Sequence, residues 1–390
     1  MATRINQNAR LARLNALADA ARDALARSDL PRAISKFEQI LEFEPRNHTV
    51  LSSLGVLYFN AGNKERAVRM LADALAAAPG DAAIRRSYAS VLGGAAELKS
   101  RTGDFSGAAT LLRQALAADP GHTGARVDLA NALEFGGLPA VLSDYMPDTT
   151  PDRLGTHLLI ACMPKSGSTF LKETLCRLTG FVAANYAYAY LQNEQEIHLP
   201  NVIQSAKENT VTQQHCRATG PNTQILQAFG VKPIVLVRNL ADIVLSLSDF
   251  YDFGAVRNTF FVDVWPSLDT QGKYNLIIDQ VMPWYAGFYA SWERARRFGR
   301  LDCLFLTYEE MLSDKPAAIG RISDFVGLGK TAAACEAAVR AIDGDASKTR
   351  FNKGIAGRGD RTLDDDQKAR LRRLVSAYGP VDLERVGLAR

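Results

Sequence analysis

HLLIACMPKSGSTFLKETLCRLTG, residues 157–180, decides the fold of the larger part of this 390-residue chain. Its apolar run 158–162 has the length and composition of a strand buried on both faces of a parallel sheet. A turn with Pro164, Gly167 and small hydroxyl residues follows, and an amphipathic helix starts at about Phe170. Strand, glycine-containing loop and helix make an anion cradle: backbone N–H groups converge there and the helix dipole favours negative charge. A nucleoside triphosphate loop reads G-x-x-x-x-G-K-[ST], with lysine after the last glycine. Here Lys165 precedes Gly167, in the order Pro164, Lys165, Ser166, Gly167, Ser168, Thr169, Phe170, so the ATP and GTP pattern is not met.

Some 70 residues on, VKPIVLVRNLADIVLSLSDFYDF (231–253) reads as a strand, then Arg238, then a helix capped around Asn239, with Ser246 eight residues after the arginine. A guanidinium offers a bidentate fork to phosphate, and a serine hydroxyl two turns into the helix adds one donor. Together the two segments resemble the sulfotransferase family, which uses 3′-phosphoadenosine 5′-phosphosulfate (PAPS) and releases 3′,5′-adenosine bisphosphate. The resemblance implies that Lys165, Ser166, Gly167, Ser168, Thr169 and Phe170 wrap the 5′-phosphate, and that Arg238 and Ser246 hold the 3′-phosphate. Two further segments follow the family's order. Leu306–Glu310 is similar to a strand end whose tyrosine, here Tyr308, contacts the nucleotide. RFNKGIAGRG (350–359) is similar to a carboxy-terminal cofactor loop, in which Lys353, Gly354 and Gly357 match and Arg358-Gly359 replaces an Asp-Trp pair. The charge facing the 3′-phosphate is left open among Arg350, Lys353 and Arg358. The resemblance spans roughly residues 157–370.

Sulfuryl transfer, like phosphoryl transfer, is expected to rest on positioning and charge stabilisation. Lys165 is placed to stabilise the leaving phosphate, and the resemblance implies that Ser166 holds it back until an acceptor arrives. His215, in NTVTQQHCRATG (209–220), follows a β-prone run between the two phosphate segments, where the family carries a catalytic histidine in K-T-H; here Gln213 stands for the lysine. Histidine suits general-base work near neutral pH. His198, Glu194 and Glu196 are further candidates for that base, while His122 and His157 read as surface or interdomain residues. The acceptor is expected to carry a hydroxyl, on a glycan, a glycolipid or a small metabolite. Aromatic residues in NYAYAY (185–190), in 250–265 and in the helix 275–297 read as core before substrate wall. No ligand cluster implies a metal.

The amino-terminal third repeats itself. LEFEPRN, LAAAPGD and LAADPGH place prolines at 45, 79 and 120, intervals of 34 and 41. Ala33, Ala67 and Ala108 keep the same offsets, as do Phe37, Leu71 and Leu112, then Leu41, Leu75 and Leu116, and the turn residues Ser28, Gly62 and Gly103. A 34-residue helix pair of this pattern resembles the tetratricopeptide repeat, whose units bury their apolar faces only by stacking. The seven extra residues, around 93–100, are expected to lengthen the first helix of the third unit by about two turns. Residues 122–135 read as a last, unpaired helix. The domains expected are therefore repeats over 1–140, a linker over 141–156, and an α/β sulfotransferase domain with a central parallel sheet over 157–390. The repeats carry no catalytic pattern and imply a protein partner or self-association.

Composition narrows the rest. The chain is 47% hydrophobic and 23% charged, ordinary for a globular protein and too apolar for general disorder. With 46 Lys and Arg against 42 Asp and Glu, the net charge of +4 does not point to nucleic acid or an anionic membrane. Five widely spaced cysteines with no C-x-x-C pair suggest a reducing compartment. No run approaches 18 apolar residues and the amino terminus lacks a signal-peptide h-region, so the expectation is a cytoplasmic protein with no membrane span. A non-catalytic scaffold that only binds nucleotide is the alternative function. A P-loop kinase is disfavoured by the lysine placement.

Overall fold

The computed structural model describes residues 2–146, 150–187, 194–255, 259–344 and 356–388. The chain forms two compact units, Met1–Pro147 and Asp148–Arg390.

The first unit is helical: α1 (Ala2–Ala26), α2 (Leu30–Phe43), α3 (His48–Asn60), α4 (Lys64–Ala77), α5 (Ala82–Arg101), α6 (Phe105–Ala118) and α7 (Thr123–Gly136), each packed on the next. The repeat offsets are physical equivalences. Ala33, Ala67 and Ala108 are fully buried, and Phe37, Leu71 and Leu112, one turn further along the same helices, are buried with them. Ser28, Gly62 and Gly103 each adopt a left-handed backbone, with φ of 59°, 83° and 81°. Directly after each comes an N-cap, Asp29, Asn63 and Asp104, whose side chain accepts from the backbone N–H three residues on. Asn47, Asp81 and His122 cap the alternate helices α3, α5 and α7 in the same way. His122 is thus a cap, not a spare surface histidine. At 20 residues against 13, α5 is seven longer than α3, the whole of the extra length. The stretch read as linker begins with a short helix, α8 (Leu142–Tyr145), which is held to the first unit by the Arg113 guanidinium on both oxygens of the buried Asp144 at 2.8 and 2.9 Å.

The second unit is built on five parallel strands in the order β2-β3-β1-β4-β5: β1 (His157–Cys162), β2 (Val182–Ala184), β3 (Thr210–Gln214), β4 (Ile234–Val237) and β5 (Leu304–Thr307). All of β1 and β4 is buried, which is why both read as unbroken apolar runs. Crossovers include α9 (Ser168–Thr179), α10 (Leu199–Ser205), α11 (Gly220–Ala228), α12 (Leu240–Asp252), α13 (Thr270–Gln280) and α14 (Met282–Arg297). The chain closes with α15 (Tyr308–Ser313), α16 (Lys315–Val326), α17 (Ala332–Asp343), α18 (Arg358–Thr362) and α19 (Asp365–Ser376). One face of the sheet packs Leu158, Ile160, Leu236 and Leu306 against Phe170 and Leu171 of α9, Ile319 and Ile322 of α16, and Val339 and Ile342 of α17. Residues 275–297 form two helices instead of the single one expected. Pro283 has no N–H to continue the ladder, so α13 stops at Gln280 and a new first turn begins around the proline. Tyr285, Phe288 and Trp292 on α14 are core residues, as read. His157 is not at the surface: it is buried in β1, with Nδ1 2.9 Å from Thr210 Oγ1 and from Tyr186 Oη, and Nε2 3.2 Å from Ala206 O.

The chain winds from β1 to one side of the sheet and then to the other. Such a switch point opens a crevice at the carboxyl ends of the strands.

Candidate active site at the strand ends

Four strand ends meet at that crevice. The loop after β1 carries Lys165, His215 follows β3, Arg238 follows β4, and Tyr308 follows β5.

In the first loop the backbone turns left-handed at Lys165 (φ 69°) and again at Gly167 (φ 82°). A non-glycine residue there costs about 1–2 kcal/mol, held only where surrounding bonds insist on it. Two such bonds are present. The Ser166 hydroxyl donates to Met163 O at 2.6 Å, and Arg238 NH1 donates to Lys165 O at 2.8 Å. Ser166 is therefore used within the loop. At Gly167 a Cβ would press on Met311 and the Tyr308 ring at 3.0–3.1 Å, so glycine is needed for both space and φ. Ser168 and Thr169 open α9, where first-turn N–H groups have no intrahelical acceptor. The Ser168 hydroxyl accepts from Gln213 Nε2 at 2.8 Å and is also hydrogen-bonded to the Cys162 thiol. The Phe170 ring lies in the core and is 1% exposed, so only its backbone faces the loop. The Lys165 ammonium lies over the Phe250 ring, 4.1 Å from its centroid.

Arg238 is almost wholly buried. Its guanidinium lies 4.2 Å over the Tyr308 ring, its NH2 is 3.9 Å from Asp242 Oδ2, and its Nε has no hydrogen-bond partner among the described residues. A buried guanidinium with an orphaned N–H, tied to a phosphate-type loop, suits an anion. Tyr308 thus acts as a platform beneath the arginine, and burial raises its phenol pKa. Asn239 caps α12 through Ala241 N and Asp242 N, and its own N–H donates to Glu309 Oε1 at 3.1 Å. Burial raises the Glu309 carboxyl pKa. Ser246 is buried two turns into α12. Arg358 is ion-paired to Asp249 Oδ2 at 2.9 Å on the same helix. Arg350, Lys353 and Gly354 lie outside the described residues.

The His215 Nδ1 is 2.9 Å from Cys162 O, an acceptor only, so Nδ1 carries the proton and Nε2 keeps the lone pair. Desolvation lowers its pKa, which keeps the ring neutral and able to accept a proton near neutrality. The other candidate bases are engaged. Glu194 accepts from Arg217 N, Arg217 Nε and Trp284 Nε1 at 2.9, 2.6 and 2.8 Å. His198 caps α10, with Nδ1 3.1 Å from Asn201 Oδ1, and Glu196 accepts a 3.4 Å bond from the Thr219 hydroxyl. Among the described residues no group of three or more His, Cys, Asp or Glu is arranged to hold a metal.

A family model described as "Sulfotransferase domain" matches residues 155–353, half of the chain. The chain belongs to the sulfotransferase family. The tetratricopeptide repeat model matches residues 24–91 and 101–138 of the first unit. Among solved structures, mouse sulfotransferase SULT7A1 complexed with PAP is similar at 17% identity, covering 63% of this chain and 93% of that one, with a TM-score of 0.46. A crystal structure of MamA is similar at 19% identity, covering 30% of this chain and 64% of that one, with a TM-score of 0.25. A Thermobaculum terrenum O-GlcNAc transferase mutant is similar at 17% identity, covering 58% and 46%, again with a TM-score of 0.25. No curated protein matches the sequence. Within this sulfotransferase the strand-end residues above are the candidates for its chemistry. Glu309, from the Leu306–Glu310 segment, and Asp242, which the sequence did not single out, join them as braces. No helix of the described residues is long and apolar enough to cross a membrane.

Proposed function

We propose that the second unit transfers a sulfuryl group from PAPS to a hydroxyl of a glycan, glycolipid or small metabolite. The observation that carries this reading is the link between Lys165 and Arg238: the loop's backbone carbonyl is held by the same buried guanidinium that has an N–H unpaired among the described residues and so open to an anion. Bound PAPS supplies an activated sulfuryl group, whose sulfur bonds to the acceptor oxygen as the 5′-phosphate leaves. The residues around it bind and orient. The first-turn N–H groups of α9 with the Ser168 and Thr169 hydroxyls hold the 5′-phosphate, while Arg238, with Ser246, holds the 3′-phosphate. Lys165 neutralises the charge that develops on the leaving phosphate oxygen. His215 takes the acceptor's proton at Nε2. Lys353, Gly354 and Arg358 complete the proposed set, Arg358 only if it exchanges Asp249 for the ligand. The repeats would bind a protein partner or a second copy. Five free cysteines fit a reducing compartment, and the cytoplasm is the proposed location.

The test is bisphosphate release from PAPS with a panel of hydroxyl acceptors, compared between wild type and Lys165→Ala. Loss of a charge used mainly in the transition state lowers turnover by about 10²–10³ and PAPS affinity far less. Equal losses in both would make Lys165 a simple anchor, and binding without turnover on any acceptor would favour the scaffold reading.

A further inference from the structure

Asp242 has no part in the chemistry above, yet each oxygen of its buried carboxylate accepts a backbone N–H from far along the chain. It sits one turn into α12, 2% exposed. Its Oδ1 accepts from Gly359 N at 2.6 Å and its Oδ2 from Gly357 N at 2.7 Å, reaching 117 and 115 residues along the chain. The turn it holds is pressed flat on the helix. A Cβ at Gly359 would stand 2.2 Å from Ala241 C and 2.5 Å from Asp242 N. Asn239, the cap of the same helix, touches this segment as well, with Nδ2 3.3 Å from Asp360 Oδ2. The carboxylate also lies 3.9 Å from Arg238 NH2.

A buried carboxylate beside an arginine meant for phosphate is a paradox if charge alone is considered, because it repels the anion the arginine should attract. The short bonds to two backbone amides resolve it. We propose that Asp242 is a positioning residue: it clasps the 357–359 turn onto the start of α12 and so fixes Arg238 and that turn around the 3′-phosphate of the nucleotide. The inference rests on the PAPS reading and assigns Asp242 to one end of the ligand. The clasp and the charge make opposite predictions. Removing the negative charge tightens anion binding if only Coulomb repulsion counts, and weakens it if the clasp orders the site.

The full-length protein is titrated by calorimetry with two nucleotides, 3′,5′-adenosine bisphosphate and adenosine 5′-monophosphate, which lacks the 3′-phosphate. In Asp242→Asn one amide loses its acceptor and meets a donor instead. Bisphosphate affinity is expected to fall at least about tenfold, the scale of one charge-assisted bond, while 5′-monophosphate affinity stays within about twofold. Gly359→Ala opens the clasp from its other side without changing charge and is expected to give the same selective loss, which keeps the test valid if the first variant does not fold. Tighter or unchanged bisphosphate binding in a folded variant overturns the inference, as does a parallel loss of both nucleotides, the mark of general structural damage. Wild-type protein that binds neither nucleotide overturns the cofactor reading and this inference with it.

Discussion

His215 shows how a single side chain is prepared by a backbone atom. The Cys162 carbonyl fixes its tautomer, and burial lowers its pKa from the ordinary 6.5. As a general base it works only when neutral. The acid limb of kcat is therefore expected below pH 6.5, and His215→Ala should cost about 10²–10⁴ in turnover, with kcat measured from pH 5 to 8. A limb above 6.5 would mean that a different group, or a charged partner, governs the proton. Stability carries the same sign. His157 is likewise lowered by burial, so the unfolded chain binds more protons than the folded one below pH 6.5, and stability falls as pH drops through that window. The sequence allowed His215 to be singled out from its place after a β-prone run. Its carbonyl partner, 53 residues away, was invisible because any backbone offers the same acceptor. Asp242 was missed for a related reason: its partners are glycine amides more than a hundred residues on, which no local pattern encodes.

At the level of elements, the anion loop and the repeats were legible because their signals are local. A strand, a lysine, a glycine and a helix within 24 residues specify one turn, and equal offsets of alanine and leucine specify a stacked pair. The recurring N-caps add a signal that the apolar pattern alone did not supply. Asn63 Oδ1 accepts from Arg66 N at 3.1 Å at the head of α4. Asn63→Ala is expected to lower the stability of the repeat unit by about 1 kcal/mol and Asn63→Gly by only a few tenths, read from urea unfolding. Equal stability of all three proteins would show that stacking, not capping, sets where α4 begins. The break between α13 and α14 was present in the sequence as Pro283, but the run of aromatic residues around it favoured one continuous helix. Phe170 shows the converse limit, a motif residue whose ring belongs to the core.

For the molecule as a whole, two units of different physics share one chain. The repeats are a stack in which each helix pair leans on its neighbours, while the sulfotransferase unit gathers four distant strand ends into one crevice. Parallel strands make that convergence, since all their carboxyl ends point the same way. The account stands on one claim, that this crevice holds a nucleotide with phosphate at both its 5′ and 3′ positions. The most direct measurement is calorimetric titration of the full-length protein with 3′,5′-adenosine bisphosphate, with ATP–magnesium as the control. The account predicts tight binding of the bisphosphate, little binding of ATP–magnesium, and loss of at least about tenfold in bisphosphate affinity on Arg238→Ala. Preference for ATP–magnesium, or bisphosphate binding that Arg238→Ala leaves intact, would contradict it.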